Sequence, residues 1–92
     1  MKTIVINKRH SGFSMSEAGI AHYNSLSGLD LVYSYSIQRD DPFLVQTIKD
    51  MGADASGPIS VLALVDIPDD VEWEIGEYDG FEWVAEKHRT WT

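Results

Sequence analysis

The residues best suited to chemistry are carboxylates, which crowd the last third of the 92-residue chain. Nine acidic residues and no basic residue lie between Asp66 and Glu86. Glutamates alternate with apolar residues here, so a β-hairpin would place a row of carboxylates on one face. The predicted partner-binding row comprises Asp69, Asp70, Glu72, Glu74, Glu82 and Glu86. It can bind lysines and arginines of a partner by imitating the charges of nucleic acid, or it can be a solvated sheet face.

The same carboxylates give little support to catalysis or metal binding. A calcium loop needs closely spaced oxygen ligands around a glycine turn, a pattern that Asp66 to Asp70 lacks. His10, His22 and His88 lack the i, i+4 spacing of a helical metal site. Ser14 lies in the sequence GFSMS, which lacks the final glycine of a nucleophile elbow. We therefore expect a protein that is not an enzyme, with no catalytic residue, no metal and no cofactor.

Two groups of basic residues lie near the ends of the chain. Lys8 and Arg9 follow the first predicted strand, and His88 and Arg89 lie just before Trp91. If the terminal strands are neighbours, the two groups form one basic patch beside an indole, which suits contact with RNA or another phosphate. The alternative is that both groups are solvated strand ends and that Trp91 packs on the core.

Composition indicates one ordinary globular domain over residues 1–92. Hydrophobic residues make up 43% of the chain and charged residues 24%, which is typical of a folded domain. The formal charge of -8 makes strong binding to a nucleic-acid backbone unfavourable over most of the surface. Cysteine is absent, which excludes disulfides and thiolate zinc sites. The chain has no signal-peptide core and no apolar run of membrane-spanning length, so we expect a soluble, cytoplasmic protein.

The first half of the chain predicts two helices between strands. A β-branched strand at Thr3–Ile6 precedes a capping box, Ser14 to Glu17, which predicts a helix from Met15 to about Leu26. Gly28 suits a left-handed C-terminal cap. Leu31–Ile37 alternates in its second half and is predicted as a strand.

The second half begins with a strong helix start. Asp41 can cap the helix and Pro42 suits its first position. Ile59–Ile67 is almost continuously apolar and is predicted as a central strand, covered at least in part on both faces. With the hairpin, the order β-α-β-α-β-β-β predicts an α+β domain. It should have an antiparallel or mixed sheet of three to five strands and two helices on one face.

The register of the hairpin decides which side chains share a face. A two-residue turn at Asp79-Gly80 would pair Tyr78 with Phe81, whereas a three-residue loop with a left-handed Gly80 would pair Glu77 with Phe81. The second register is the predicted one, because it keeps the apolar residues together on the face opposite the glutamates. A slip by one residue would turn one strand inside out.

The C-terminal block resembles a group of small phage and prophage proteins of unassigned activity. The block runs from Ile67 to Trp91 and reads IPDDVEWEIGEYDGFEWVAEKHRTW. The segments Ile4–Asn7, Gly12–Ser14 and Arg39–Pro42 are also similar to that group, so the resemblance covers more than half of the chain.

The resemblance implies a function by analogy. Small acidic phage proteins are often anti-defence factors, and anti-CRISPR proteins bind CRISPR effector complexes without cofactors. We therefore expect a phage-encoded inhibitor in the host cytoplasm that binds a nucleic-acid-handling complex, blocks DNA target binding and can touch guide RNA. The alternatives are a sponge for a small nucleotide signal and a small virion structural or assembly protein.

Overall fold

A computed structural model describes residues 1–34 and 37–87. The elements in chain order are β1 (Lys2–Asn7), α1 (Glu17–Ser27), α2 (Pro42–Met51), a short 3-10 helix (Gly52–Ala55), β2 (Leu62–Ile67), β3 (Trp73–Tyr78) and β4 (Phe81–Glu86). Strand β1 pairs antiparallel with β2, and β3 pairs antiparallel with β4. The predicted α+β class, with two helices and antiparallel strands, is confirmed.

Strand β1 lies at the centre of the fold. Ile4, Val5 and Ile6 are all buried, and because successive side chains point to opposite faces, both faces of β1 are covered. Val5 belongs to the core that α2 completes with Leu44 and Ile48. The strand predicted within 59–67 is therefore not the central one. That strand instead begins at Leu62, and most of its residues are only partly buried.

Helix α1 begins two residues later than the predicted start. Backbone hydrogen bonds from Ser16 N to Ala55 O (2.9 Å) and from Gly57 N to Ser14 O (3.1 Å) join residues 14–16 to residues 55–57. The cap is therefore Ser16, whose hydroxyl accepts from Gly19 N at 3.0 Å. The predicted capping box at Ser14 is wrong, and the buried Ser14 hydroxyl has no hydrogen-bond partner among residues 1–34 and 37–87.

The predicted end of α1 and the predicted start of α2 are confirmed. Gly28 caps α1 in the left-handed conformation with φ 76°. Pro42 is the first residue of α2, and the Asp41 carboxylate accepts from Phe43 N at 2.8 Å and from Leu44 N at 3.3 Å. Tyr23 Oη donates to the same carboxylate at 2.8 Å, so the cap also joins α1 to α2.

The segment predicted as a strand at Leu31–Ile37 is not a strand in its described residues, 31–34 and 37. Leu31 instead bonds the side chain of Asn24, which donates to Leu31 O at 2.8 Å and accepts from Leu31 N at 3.0 Å. The edge of β1 that a third strand would occupy is met by Arg39, whose carbonyl accepts from Val5 N at 2.8 Å. Tertiary contacts therefore override the local strand preference.

The hairpin has the register that the sequence prediction rejected. Asp79 and Gly80 both have positive φ, 51° and 89°, as a two-residue type I′ turn requires. Tyr78 therefore lies opposite Phe81, and Gly76 lies opposite Trp83. The predicted pairing of Glu77 with Phe81 is wrong, because the type I′ turn matches the natural twist of the strands without an extra loop residue.

Within the described part of the chain, none of the helices has the length and apolar character needed to cross a membrane.

Candidate functional site

The hairpin register divides the predicted acidic row between two faces. The inner face comprises Trp73, Ile75, Glu77, Glu82, Val84 and Glu86. The outer face comprises Glu74, Gly76, Tyr78, Phe81, Trp83 and Ala85. Glu74 is thus separated from Glu82 and Glu86, and Trp83 is separated from Trp73. The prediction of a single row of glutamates opposite both tryptophans is therefore wrong.

Glu82 is a buried anchor and does not belong to the exposed surface. It is only 6% exposed. Arg39 Nη2 donates to Glu82 Oε2 at 2.8 Å and Nη1 donates to Oε1 at 2.5 Å, which is a bidentate ion pair. The backbone N–H of Asn7 donates to the same carboxylate at 2.8 Å. Glu82 is therefore corrected from a partner-binding residue to a structural one.

Arg39 is a residue that the sequence analysis missed. Its guanidinium lies 3.8 Å from the centre of the Phe13 ring and donates to Val5 O at 3.3 Å. Arg39 and Glu82 together satisfy backbone groups on the edge of β1 that β2 leaves open, and they attach β4 to that edge. No local pattern signals this pair, because 43 residues separate its members.

The tip of the hairpin is held by the loop after β1. The buried side chain of Asn7 donates to Gly80 O at 3.0 Å and to Arg9 O at 2.9 Å, and it accepts from Val61 N at 2.9 Å. The ring of His10 stacks on Phe81 with the ring centres 5.2 Å apart. The hairpin is thus held to the rest of the fold at its tip and at Glu82, the second residue of β4.

The remaining predicted acidic residues are exposed near the open end of the hairpin. They are Asp69, Asp70, Glu72, Glu74 and Glu86. Asp69 lies 3.3 Å from the N-terminal amine, but both groups are exposed, and such surface pairs contribute little to stability. Glu72 O accepts from Lys87 N at 2.9 Å, so strand pairing continues one residue beyond β3 and β4.

Only half of the predicted basic patch lies in the described part of the chain. Lys8 and Arg9 are exposed in the loop that holds the hairpin tip. His88, Arg89 and Trp91 lie outside the described residues. The patch that would join the two groups therefore stays a prediction.

Tyr23 and Asp50, which lie at contacts between the helices, have shifted pKa values. Burial raises the pKa of Tyr23 to about 12, and the hydrogen bond to Asp41 adds to this effect. The hydrogen bond from His22, 2.8 Å long, holds the pKa of Asp50 below its usual value, and Gln46 assists. Across residues 1–34 and 37–87, no group of three or more histidines or carboxylates is placed to hold a metal ion.

Comparison with known protein families, with curated proteins and with solved structures found no match to this chain. The resemblance of the C-terminal block to small phage proteins stays a prediction.

Proposed function

We propose that the chain is a non-enzymatic, phage-encoded inhibitor of the anti-CRISPR type. It binds a host nucleic-acid-handling defence complex through the open end of its hairpin and blocks DNA target binding. The observation that carries this proposal is a set of exposed carboxylates near the open end of a hairpin that Glu82 and Asn7 hold to the fold, with Glu74 on its outer face and Glu86 on its inner face. The group comprises Asp69, Asp70, Glu72, Glu74 and Glu86.

The chemistry of these carboxylates suits a basic protein surface. A complex that binds DNA presents lysines and arginines to the phosphates, and carboxylates at similar spacing can occupy them. A hairpin that is already folded loses less conformational freedom on binding than a disordered segment would, which favours affinity. The net charge of -8 adds long-range attraction that speeds association and weakens with salt.

A secondary contact with guide RNA fits the opposite end of the hairpin. Lys8 and Arg9 are exposed beside the hairpin tip and could meet RNA phosphates on the same complex. The nucleotide-sponge alternative uses the basic groups at both ends of the chain together with Trp91, and of these His88, Arg89 and Trp91 lie outside the described residues. No observation on the described residues favours it or the virion-protein alternative.

The proposal is tested by affinity capture from a host that carries active CRISPR immunity. The tagged protein is captured at low and high salt, and its partners are identified by mass spectrometry. We expect effector subunits at low salt and their loss at high salt, because exposed ion pairs are screened. A double reversal, Glu72→Lys with Glu74→Lys, should abolish both capture and inhibition.

A matched control separates the surface from the total charge. Asp30→Lys with Asp54→Lys makes the same change in net charge at exposed residues away from the hairpin. This control should keep the partner. Full inhibition by the hairpin double variant would contradict the proposal, and equal loss in both variants would reduce it to a nonspecific charge effect.

A further inference from the structure

The outer face of the hairpin carries the indole of Trp83, which packs against Gly76 of the neighbouring strand. Trp83 lies opposite Gly76, and a Cβ atom at Gly76 would overlap indole atoms Nε1 and Cε2 of Trp83. The ring therefore covers the glycine backbone, which only glycine permits at this position. Trp83 is 44% exposed, so part of its side chain is open to a binding partner.

Two polar groups flank this indole on the same face. Glu74 and Tyr78 lie two residues on either side of Gly76, and both are exposed. Because Trp83 lies opposite Gly76, Glu74 and Tyr78 are its diagonal neighbours on the other strand. Both side chains are therefore within reach of a group stacked on the Trp83 ring. The face thus offers a flat aromatic surface with a carboxylate on one side and a phenol on the other.

The surrounding charge selects a cation over a phosphate. The sequence from Val71 to Glu86 contains acids and no lysine, arginine or histidine, and Lys87 follows the end of β4. His10 reaches the outer face at the tip, where its ring stacks on Phe81 and meets the Tyr78 ring edge-on with the ring centres 6.4 Å apart. A nucleotide stacked on Trp83 would bring its phosphate near Glu74, whereas a cation gains from both the carboxylate and the ring.

Among cations, the guanidinium group of arginine fits best. It is planar, weakly hydrated and able to stack on an indole while its edge donates two hydrogen bonds to a carboxylate. The lysine ammonium is a strongly hydrated point charge that cannot stack.

We propose that Trp83 and Glu74 form a recognition site for an arginine side chain on the protein partner. This site rests on the function proposed above and names the chemistry by which the partner is recognised. Tyr78 borders the site on the side of the hairpin tip.

The site is tested with peptides on the full-length protein. The indole N–H signals of the three tryptophans are followed by NMR and assigned with single Trp→Phe variants. Three probes of equal length are compared: an Arg-Gly repeat peptide, a Lys-Gly repeat peptide and single-stranded oligothymidine. We expect the Arg-Gly peptide to shift the Trp83 signal saturably and to bind more tightly than the Lys-Gly peptide, and oligothymidine to leave the signal unchanged.

Variants connect the binding to the two residues. Trp83→Leu should weaken binding of the Arg-Gly peptide about fivefold, as for one exposed cation–π contact, and Trp83→Phe should weaken it less. Glu74→Gln should also weaken it, whereas Asp54→Asn, with the same change in charge, should not. Circular dichroism checks that each variant is folded. If Trp83→Leu does not fold, Glu74→Gln still tests the site.

Two results would overturn the site. One is equal binding of the arginine and lysine peptides with no effect of Trp83→Leu, and the other is a saturable shift of the Trp83 signal by oligothymidine. The capture experiment separates this proposal from the broader one. If Trp83→Leu still captures the host partner as the unchanged protein does, the arginine site alone fails. If the Arg-Gly peptide binds through Trp83 but no host partner is captured, the inhibitor function fails and the arginine site stands.

Discussion

Arg39 and Glu82 form a bidentate ion pair at the edge of β1 that β2 leaves open, and this pair attaches the hairpin to the rest of the fold. Glu82 is almost fully buried, and its carboxylate also accepts the N–H of Asn7. The pair therefore replaces the backbone bonds that a neighbouring strand would make. Its role is to hold the hairpin in place on the rest of the fold.

The first prediction concerns this ion pair. Glu82→Ala and Arg39→Ala should each lower the free energy of unfolding by about 3 kcal/mol, because each leaves a partly buried charge without its partner. The double variant should cost less than the sum of the two single variants, since the second change removes an already unpaired group. Urea unfolding measures all three.

A matched glutamate on the same hairpin serves as the control. Glu74 is exposed, so Glu74→Ala should change the free energy of unfolding by no more than about 0.5 kcal/mol. Equal losses for Glu74→Ala and Glu82→Ala would show that the Arg39 contact does not stabilise the fold. A binding defect in a Glu82 variant would report lost structure and could not be assigned to the interface.

The second prediction concerns the side chain of Asn7. Asn7→Ala leaves the Val61 N–H and the Gly80 carbonyl without this partner and should cost about 2–4 kcal/mol. Hydrogen exchange should accelerate most at the Val61 amide. Asn24 is less buried, and its side chain donates to Leu31 O and accepts from Leu31 N. Asn24→Ala should therefore lower the free energy of unfolding by less than Asn7→Ala does. The reverse order of the two losses would contradict a central role for Asn7.

The third prediction concerns the turn of the hairpin. A Cβ atom at Gly80 would overlap the backbone nitrogens of Ser11 and Gly12, and φ is 89° there. Gly80→Ala should therefore lower the free energy of unfolding more than Gly28→Ala does. Gly28 also has a positive φ, 76°, but the space around it is open, so Gly28→Ala should cost about 1 kcal/mol. Thermal unfolding of the two variants gives the comparison. Equal losses would mean that the turn is not packed on the loop after β1.

The fourth prediction concerns stability at high pH. The pKa of Tyr23 is about 12 in the folded protein and about 10 in the unfolded chain, so the neutral phenol favours folding. Its contribution is complete below pH 10 and is lost as the pH rises from 10 through 12. Tyr23→Phe should lower stability at pH 7 by about 1–2 kcal/mol through loss of the bond to Asp41.

The difference in stability between the unchanged protein and Tyr23→Phe should shrink between pH 10 and pH 12. Urea unfolding of both proteins at several pH values measures this difference. Because other groups that titrate in this range are present in both proteins, their effects cancel in the difference. Tyr78→Phe, at an exposed tyrosine, is the control and should show no such change. A constant difference across the range would contradict the raised pKa of Tyr23.

The sequence by itself determined the features that depend on a few adjacent residues. Asp41 and Pro42 start α2, Gly28 ends α1, and the composition and strand patterns indicate an α+β domain. These signals are readable because helix caps and proline act on backbone groups within about four residues. The Asp79-Gly80 turn is equally local and fits a type I′ turn, although the apolar pattern of the two strands favours the other register.

Only the tertiary structure decided which residues face solvent and which lie inside. Glu82 is buried because it meets Arg39 and Asn7, which are 43 and 75 residues away. Ser16 became the cap of α1 in place of Ser14 because residues 55–57 hold the preceding segment extended. Trp83 is exposed on the outer face because the register places it opposite Gly76. Local patterns state what a residue prefers, but long-range pairing determines which neighbour it has.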